Sequence, residues 1–390
     1  MDAGGQLTSA DAVAAERLAL TRARRLVVKV GTGLVTSPGV GADPARIAAL
    51  AGAIAVARAG REIVLVTSGA IAIGMARLGL AERPRSIPEK QAAAAVGQSA
   101  LMWQWEAAFE RHGLAVGQVL LTAHDIRDRA RYLNARNTLL ALLGFSVLPI
   151  VNENDTVAVD EIKVGDNDNL SALVASLIEA DLVVLLTDVD GLYTADPARD
   201  PGARKLDTVP AITDDITGLV WRRPDNQSVG GMTTKLEAAQ KAAASGVPLV
   251  IASGRQDDAL ARILAGEPVG TLFLPRADRL TARKRWIAFA VPPQGRLTVD
   301  AGALRALTGQ GRSLLASGVV EVDGDFAAGD VVAVIAPDGR SGAREFARGL
   351  VNYDAGEVRK LRGAQSRDIE RRLGYRGVDE VIHRDNLVIL

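Results

Sequence analysis

Between Leu26 and Ser253 the chain alternates short runs of Val, Ile and Leu with longer stretches whose apolar positions recur at helical spacing. The runs are Leu26–Val30, Ile63–Thr67, Val116–Leu121, Val147–Val151, Leu182–Thr187 and Val247–Ala252. They show almost no polar alternation, the pattern of strands buried on both faces, so a largely parallel sheet under helices is predicted. Between them Ile47, Leu50 and Ile54 form a helical stripe after a capping Asp43, and Leu170, Leu173, Val174, Leu177 and Ile178 form another. This β-α-β-α order predicts an α/β fold with three layers, α/β/α, a mainly parallel sheet and right-handed crossovers.

The texture changes after Pro275. Arg276 to Arg285 hold five arginines or lysines and read as a linker. Shorter apolar runs follow: Leu297–Val299, Val319–Val322, Val331–Ile335, Ala343–Leu350 and Leu387–Leu390, with turn signals at Asp323-Gly324 and Asp338-Gly339. A small, mainly β second domain is predicted. The expected division is an extension over 1–24, an α/β domain over 25–275, a linker over 276–286, and a mainly β domain with its tail over 287–390. The extension reads as a mobile arm leading into a helical turn.

Composition narrows the function classes. Lys plus Arg and Asp plus Glu both number 46, so the net charge of zero gives no global pull toward nucleic acid or an anionic membrane. The chain has no cysteine, which excludes disulfides, thiolate metal sites and cysteine nucleophiles. The uncharged stretch Thr138–Val151 falls short of the roughly 20 residues a spanning helix needs, and the first 25 residues lack the apolar core of a signal peptide. A soluble, cytoplasmic protein is expected.

Ligands of open parallel sheets bind beyond the carboxyl ends of the strands. Five places there hold small or ionisable residues. Lys29-Val-Gly31-Thr-Gly33 places a lysine inside an apolar run, beside glycines whose backbone can approach an anion; a snorkelling lysine and a plain turn explain it equally. Thr67-Ser68-Gly69-Ala70 offers a hydroxyl and free N–H groups, but Ser68 also suits an ordinary helix N-cap. Asn152-Glu153-Asn154-Asp155-Thr156 is denser in forked polar groups than a turn requires: its amides suit an amino acid, and Asp155 suits an ammonium group. Gly165-Asp166-Asn167-Asp168-Asn169 opens a helix, where the dipole accounts for one carboxylate more readily than for two.

The fifth place pairs Thr187-Asp188 with Gly230-Gly231-Met232-Thr233-Thr234-Lys235. Lys235 there opposes a helix dipole and calls for an anion, or else extends into water. Cations, backbone donors and an acidic cluster at one sheet edge are what phosphoryl transfer needs. His112, His124 and His383 read as surface or structural residues.

These segments occur in an order that resembles the motif series of the glutamate 5-kinase family, in the amino acid kinase fold, with a C-terminal part similar to a PUA domain. The likeness runs from about Arg25 onward, and Asn-Glu-Asn-Asp and Gly-Asp-Asn-Asp are its most specific motifs. It implies ATP-dependent phosphorylation of the γ-carboxylate of L-glutamate, the first step of proline biosynthesis. It implies that Lys29 and Lys235 hold the phosphates, that Asp168 organises both lysines, and that Ser68, Asn152, Asp155, Asp166 and Asn167 form the glutamate site. Gly31, Thr187, Asp188 and Val229, Gly230, Gly231, Met232, Thr233, Thr234 and Lys235 would contact ATP. Magnesium would travel with ATP, with no metal ligand set in the protein itself. Proline as feedback inhibitor, a homo-oligomer and hand-off to glutamyl phosphate reductase are further implications; membrane and RNA partners are not expected. Ser228-Val229 depart from the Gly-Thr pair expected before Gly230. The alternatives are another member of the amino acid kinase fold acting on a different carboxylate, and an RNA-binding PUA protein.

Overall fold

The computed structural model describes residues 15–37, 39–157, 167–197, 200–219, 231–275, 284, 287–288, 291–336 and 344–390. The chain forms two compact units, Met1–Arg279 and Leu280–Leu390.

The apolar runs become the strands of the first unit: β1 (Arg25–Val30), β2 (Glu62–Thr67), β3 (Val116–Leu121), β4 (Leu148–Glu153), β5 (Leu182–Thr187) and β7 (Leu249–Ser253). With two shorter strands, β6 (Thr208–Val209) and β8 (Thr271–Phe273), they make an eight-stranded sheet in the order β3-β4-β2-β1-β5-β7-β8-β6. All neighbours from β3 to β7 are parallel, and β8 enters antiparallel to β7. Helices α1 (Pro44–Ala57), α2 (Ala70–Arg77), α3 (Ile87–Glu110), α4 (Arg129–Gly144), α5 (Asn167–Leu177), α6 (Met232–Ala244) and α7 (Ala259–Leu264) complete the unit. Asp43 caps α1 as expected, accepting from the Arg46 backbone N–H at 3.0 Å.

Strand parity sorts the residues of the sheet. Leu26, Val28 and Val30 of β1, Ile63 and Leu65 of β2, and Leu148 and Ile150 of β4 share one apolar cluster with α1, α3 and α7. Side chains alternate along a strand, so Thr67 and Asn152 continue toward that α3 layer, whereas Lys29 points to the opposite face. Helix α5 packs there, against β1, β2, β4 and β5, with α6 beside it.

The N-terminal extension is fastened. Arg17 is 3% exposed, and its guanidinium donates to the carbonyls of Asp207, Glu267, Val269 and Gly270 at 2.6–3.0 Å. From Arg17 onward the stretch expected as a mobile arm is therefore tied to the β6–β8 end of the sheet.

In the second unit β9 (Gly295–Val299), α8 (Ala301–Gln310), β10 (Val319–Gly324), β11 (Val331–Ile335), β12 (Glu345–Leu350), α9 (Ala355–Leu361) and β13 (Leu387–Ile389) surround a separate core. Its sheet runs β10-β9-β11-β12-β13. Phe326 and Tyr353 are buried in that core rather than presented for stacking.

Candidate active site

The strands β4, β2, β1 and β5 lie next to one another and end together, so Asn152-Glu153, Thr67-Ser68, Val30-Gly31 and Thr187-Asp188 line one edge. Strand β4 runs on through Glu153, two residues beyond the apolar run. The polar pair after the apolar run belongs to the sheet, because both residues pair with β3, Asn152 with Leu120 and Glu153 with Leu121.

Asp168, in the first turn of α5, has no solvent exposure. Lys29 reaches it from β1 and forms an ion pair with Oδ1. Lys235, in the first turn of α6, lies 3.1 Å from Oδ2, and the Thr234 hydroxyl donates to the same oxygen at 3.0 Å. Both lysines are almost fully buried. Burial pushes the Asp168 carboxyl up; the ammonium charges of Lys29 and Lys235 and their hydrogen bonds outweigh this and hold it below the usual carboxylate range. Two ammonium groups thus meet on the Asp168 carboxylate, a concentration of positive charge suited to an anion. The seam between α5 and α6 continues in Asn169, whose side chain donates to Glu237 at 3.0 Å and accepts from Lys241 at 2.5 Å.

One residue earlier in the chain, Asn167 turns the other way. Its Nδ2 donates to Ser68 Oγ at 3.0 Å, and its Oδ1 shares the Glu153 N–H, at 3.3 Å, with Asn152 Oδ1 at 2.9 Å. Ser68 is not the cap of α2. Gly69 takes that position with φ 110°, a left-handed conformation open to glycine, and leaves the Ser68 hydroxyl to the site. Asp155 stands half-buried in the turn after β4. Burial raises its carboxyl to about 6 against the opposing charge of Arg83.

On the other side of Lys29, the Gly31 N–H donates to the Leu186 carbonyl at 3.1 Å, and a side-chain carbon at Gly31 would come 3.9 Å from Lys29 Nζ. Thr187 donates to Asp188 at 2.9 Å. Helix α6 starts after Gly231, and among the described residues no side chain caps it, so its first N–H groups lack an intrahelical partner. Met232 is half-buried and Thr233 exposed in that first turn. Asp166, Val229 and Gly230 lie outside the described residues.

Two side chains that sequence reasoning passed over support this edge from α3. Trp105, fully buried, donates its indole N–H to Thr67 Oγ1 at 3.1 Å, and Gln98 accepts from Asn152 Nδ2 at 2.7 Å. Their signal was present as polar handles inside the buried stripe Ala94, Gln98, Leu101, Trp105.

The arrangement fits a nucleotide triphosphate with its magnesium. Both Asp168 oxygens are engaged by Lys29, Lys235 and Thr234, so the metal would be held by phosphate oxygens rather than by this carboxylate. Among the described residues no group of three or more His, Asp or Glu is placed to hold a metal.

A mainly parallel α/β sheet carries a buried lysine–aspartate–lysine cluster at its carboxyl edge, a set of charges suited to phosphoryl transfer. Residues 24–253 match the amino acid kinase family, and residues 295–373 match the PUA domain. Glutamate 5-kinase of Moorella thermoacetica is 51% identical, covering 96% of this chain and 98% of its own. That of Anaeromyxobacter dehalogenans is 52% identical over 96% of this chain and 98% of its own. A UMP kinase structure from Bacillus anthracis aligns with TM-score 0.45 and 18% identity over 66% of this chain and 99% of that one. The chain belongs to the amino acid kinase family and, within it, to the glutamate 5-kinases.

Proposed function

We propose that this edge transfers a phosphoryl group from ATP to the γ-carboxylate of L-glutamate, giving an acyl phosphate, the first step of proline biosynthesis. The observation that carries the reading is the buried pairing of Lys29 and Lys235 on the carboxylate of Asp168. ATP with its magnesium would supply the phosphoryl group when bound. The two ammonium groups stabilise negative charge on that group as it moves, and Asp168 keeps them at a fixed separation without reorganisation. The attacking carboxylate is ionised at neutral pH and needs no general base. Its alignment falls to the other subsite: Ser68 and Asn167 toward the carboxylates, Asp155 toward the ammonium group. The order of strands β4, β2, β1 and β5 supports this division, with the acceptor over the first two, the transfer centre at β1 and the nucleotide toward β5 and α6.

The same reading extends to proline as feedback inhibitor, a homo-oligomer in the cytoplasm, and delivery of the reactive acyl phosphate to glutamyl phosphate reductase. Among the described residues no helix is long and apolar enough to cross a membrane. The test is an ATP-dependent hydroxamate assay with L-glutamate, D-glutamate, L-aspartate and N-acetylglutamate in parallel. L-Glutamate alone is expected to give product at an appreciable rate; a faster rate with N-acetylglutamate or L-aspartate would overturn the assignment.

A further inference from the structure

The acceptor side of the site is held by a continuous line of amides. Gln98 Oε1, on α3, accepts from Asn152 Nδ2 at 2.7 Å, and Asn152 Oδ1 accepts the Glu153 N–H at 2.9 Å. Asn167 Oδ1 shares that N–H at 3.3 Å, and Asn167 Nδ2 donates to Ser68 at 3.0 Å. An amide side chain can present either its oxygen or its nitrogen to a neighbour, and only its partners decide which. At Asn152 the Glu153 N–H, which can only donate, calls for the oxygen, and Gln98 Oε1 on α3 accepts from the nitrogen on the other side, so the two partners together hold the amide in one orientation. Rotating Asn152 by half a turn would set oxygen against oxygen at Gln98 and nitrogen against N–H at Glu153.

Gln98 is itself fixed. It is 9% exposed on the inner face of α3, between Ala94 and Leu101, and the next residue back, Gly97, lies so close to α2 that a side-chain carbon there would sit 1.7 Å from the Ala70 carbonyl. The backbone that carries Gln98 is therefore held close against α2. A buried amide in an otherwise apolar stripe is costly unless it is used; here Oε1 takes one well-formed bond from the substrate edge, while Nε2 is buried with no hydrogen-bond partner among the described residues.

We propose that Gln98 is a positioning residue for the acceptor subsite. It anchors the Asn152 amide from the α3 side, and through the shared Glu153 N–H it steadies the angle at which Asn167 and Ser68 meet the amino-acid substrate. This rests on the reading of that subsite as the glutamate site. The effect is confined to the acceptor, because Lys29 and Lys235 reach the site from the opposite face of the sheet and from α6.

Gln98→Met keeps the length and bulk of the side chain but removes the acceptor. Steady-state kinetics on the full-length chain should show kcat/KM for L-glutamate reduced roughly tenfold, with KM for ATP within about twofold of the parent. Gln98→Asn, which stays polar but is too short to reach Asn152, should give the same split and serves if the methionine variant folds poorly. In an Asn152→Ala background, Gln98→Met should add little further loss, since the interaction it removes is already gone. The proposal is overturned if both variants keep the parent kcat/KM for L-glutamate. It is also overturned if KM for ATP and for glutamate rise together, or if the losses from Gln98→Met and Asn152→Ala multiply. Failure of the parent chain to phosphorylate glutamate would instead overturn the subsite reading, so the two failures are distinguishable.

Discussion

A carboxylate shut away from water stays ionised only when its surroundings replace the lost hydration, and at Asp168 two ammonium groups and a hydroxyl do so. Asp168→Asn should therefore act twice. It should lower kcat by about a hundredfold or more by releasing the lysines from their fixed positions, and it should lower the thermal midpoint because two buried ammonium groups lose their shared partner. A variant with near-parent kcat would contradict the role. Lys29→Met and Lys235→Met should match the loss in kcat. Asp155 is the opposite case, a carboxylate whose burial raises it to about 6. Its charged form is present above that pH, so kcat/KM for L-glutamate should rise as pH rises through about 6 and level off above it. Asp155→Asn should lower the plateau and remove the step. The stability effect has the other sign: the folded chain holds this proton more tightly than the unfolded one, so its contribution is complete below the ordinary carboxylate value and is lost as pH rises through about 6.

Elements decide which of these residues can meet. The apolar runs marked six strands correctly, because β-branched and aliphatic continuity is a local property, and the parallel order followed from the helices between them. Lys29, Ser68, Asn167, Asp168 and Lys235 were visible for the same reason: each sits where an apolar run or stripe gives way to a different chemistry. Gln98 and Trp105 show only as polar handles inside a helical stripe, which carries no local sign of the strand they will touch. Strand β4 was cut short at Val151, because Asn152 and Glu153 gain their strand conformation from pairing with β3 and not from propensity. Strands β6 and β8, with two and three residues, were too brief to show a period. The helix pair α2–α3 provides a prediction at this scale. A side-chain carbon at Gly74 would lie 1.7 Å from the Ala93 carbonyl, and Gly97 meets Ala70 in the same way. Gly97→Ala must push the two backbones apart at a cost of roughly 3 kcal/mol or more, lowering the melting midpoint by on the order of 6 °C or more. Gly144→Ala, with nothing within 4 Å of the added carbon, should leave the midpoint unchanged or slightly raised in the same calorimetric comparison.

At the scale of the whole molecule the question is whether the first unit can work alone. Among the described residues its hydrophobic cluster runs from Leu20 to Leu272 and includes no residue of the second unit, whose own cluster runs from Leu297 to Leu387. Every residue placed in the transfer centre, the acceptor subsite and their supports precedes Ser253. The last element the sheet needs is β8, which ends at Phe273 and pairs with both β7 and β6. At the other end the stretch holding Arg17 must stay, because its guanidinium ties down four carbonyls around β8. A chain from Met1 to Pro275 therefore keeps every contact named here for the first core and the site. It is expected to fold cooperatively and to phosphorylate L-glutamate with kcat within about tenfold of the full chain. Removing residues 1–19 as well should cost thermal stability, since buried carbonyls around Gly270 would lose their donor. Circular dichroism melting checks folding, and the hydroxamate assay then checks activity. A soluble, cooperatively melting chain ending at Pro275 that makes no hydroxamate would show that the second unit completes the active site, and the division of labour drawn here would fall.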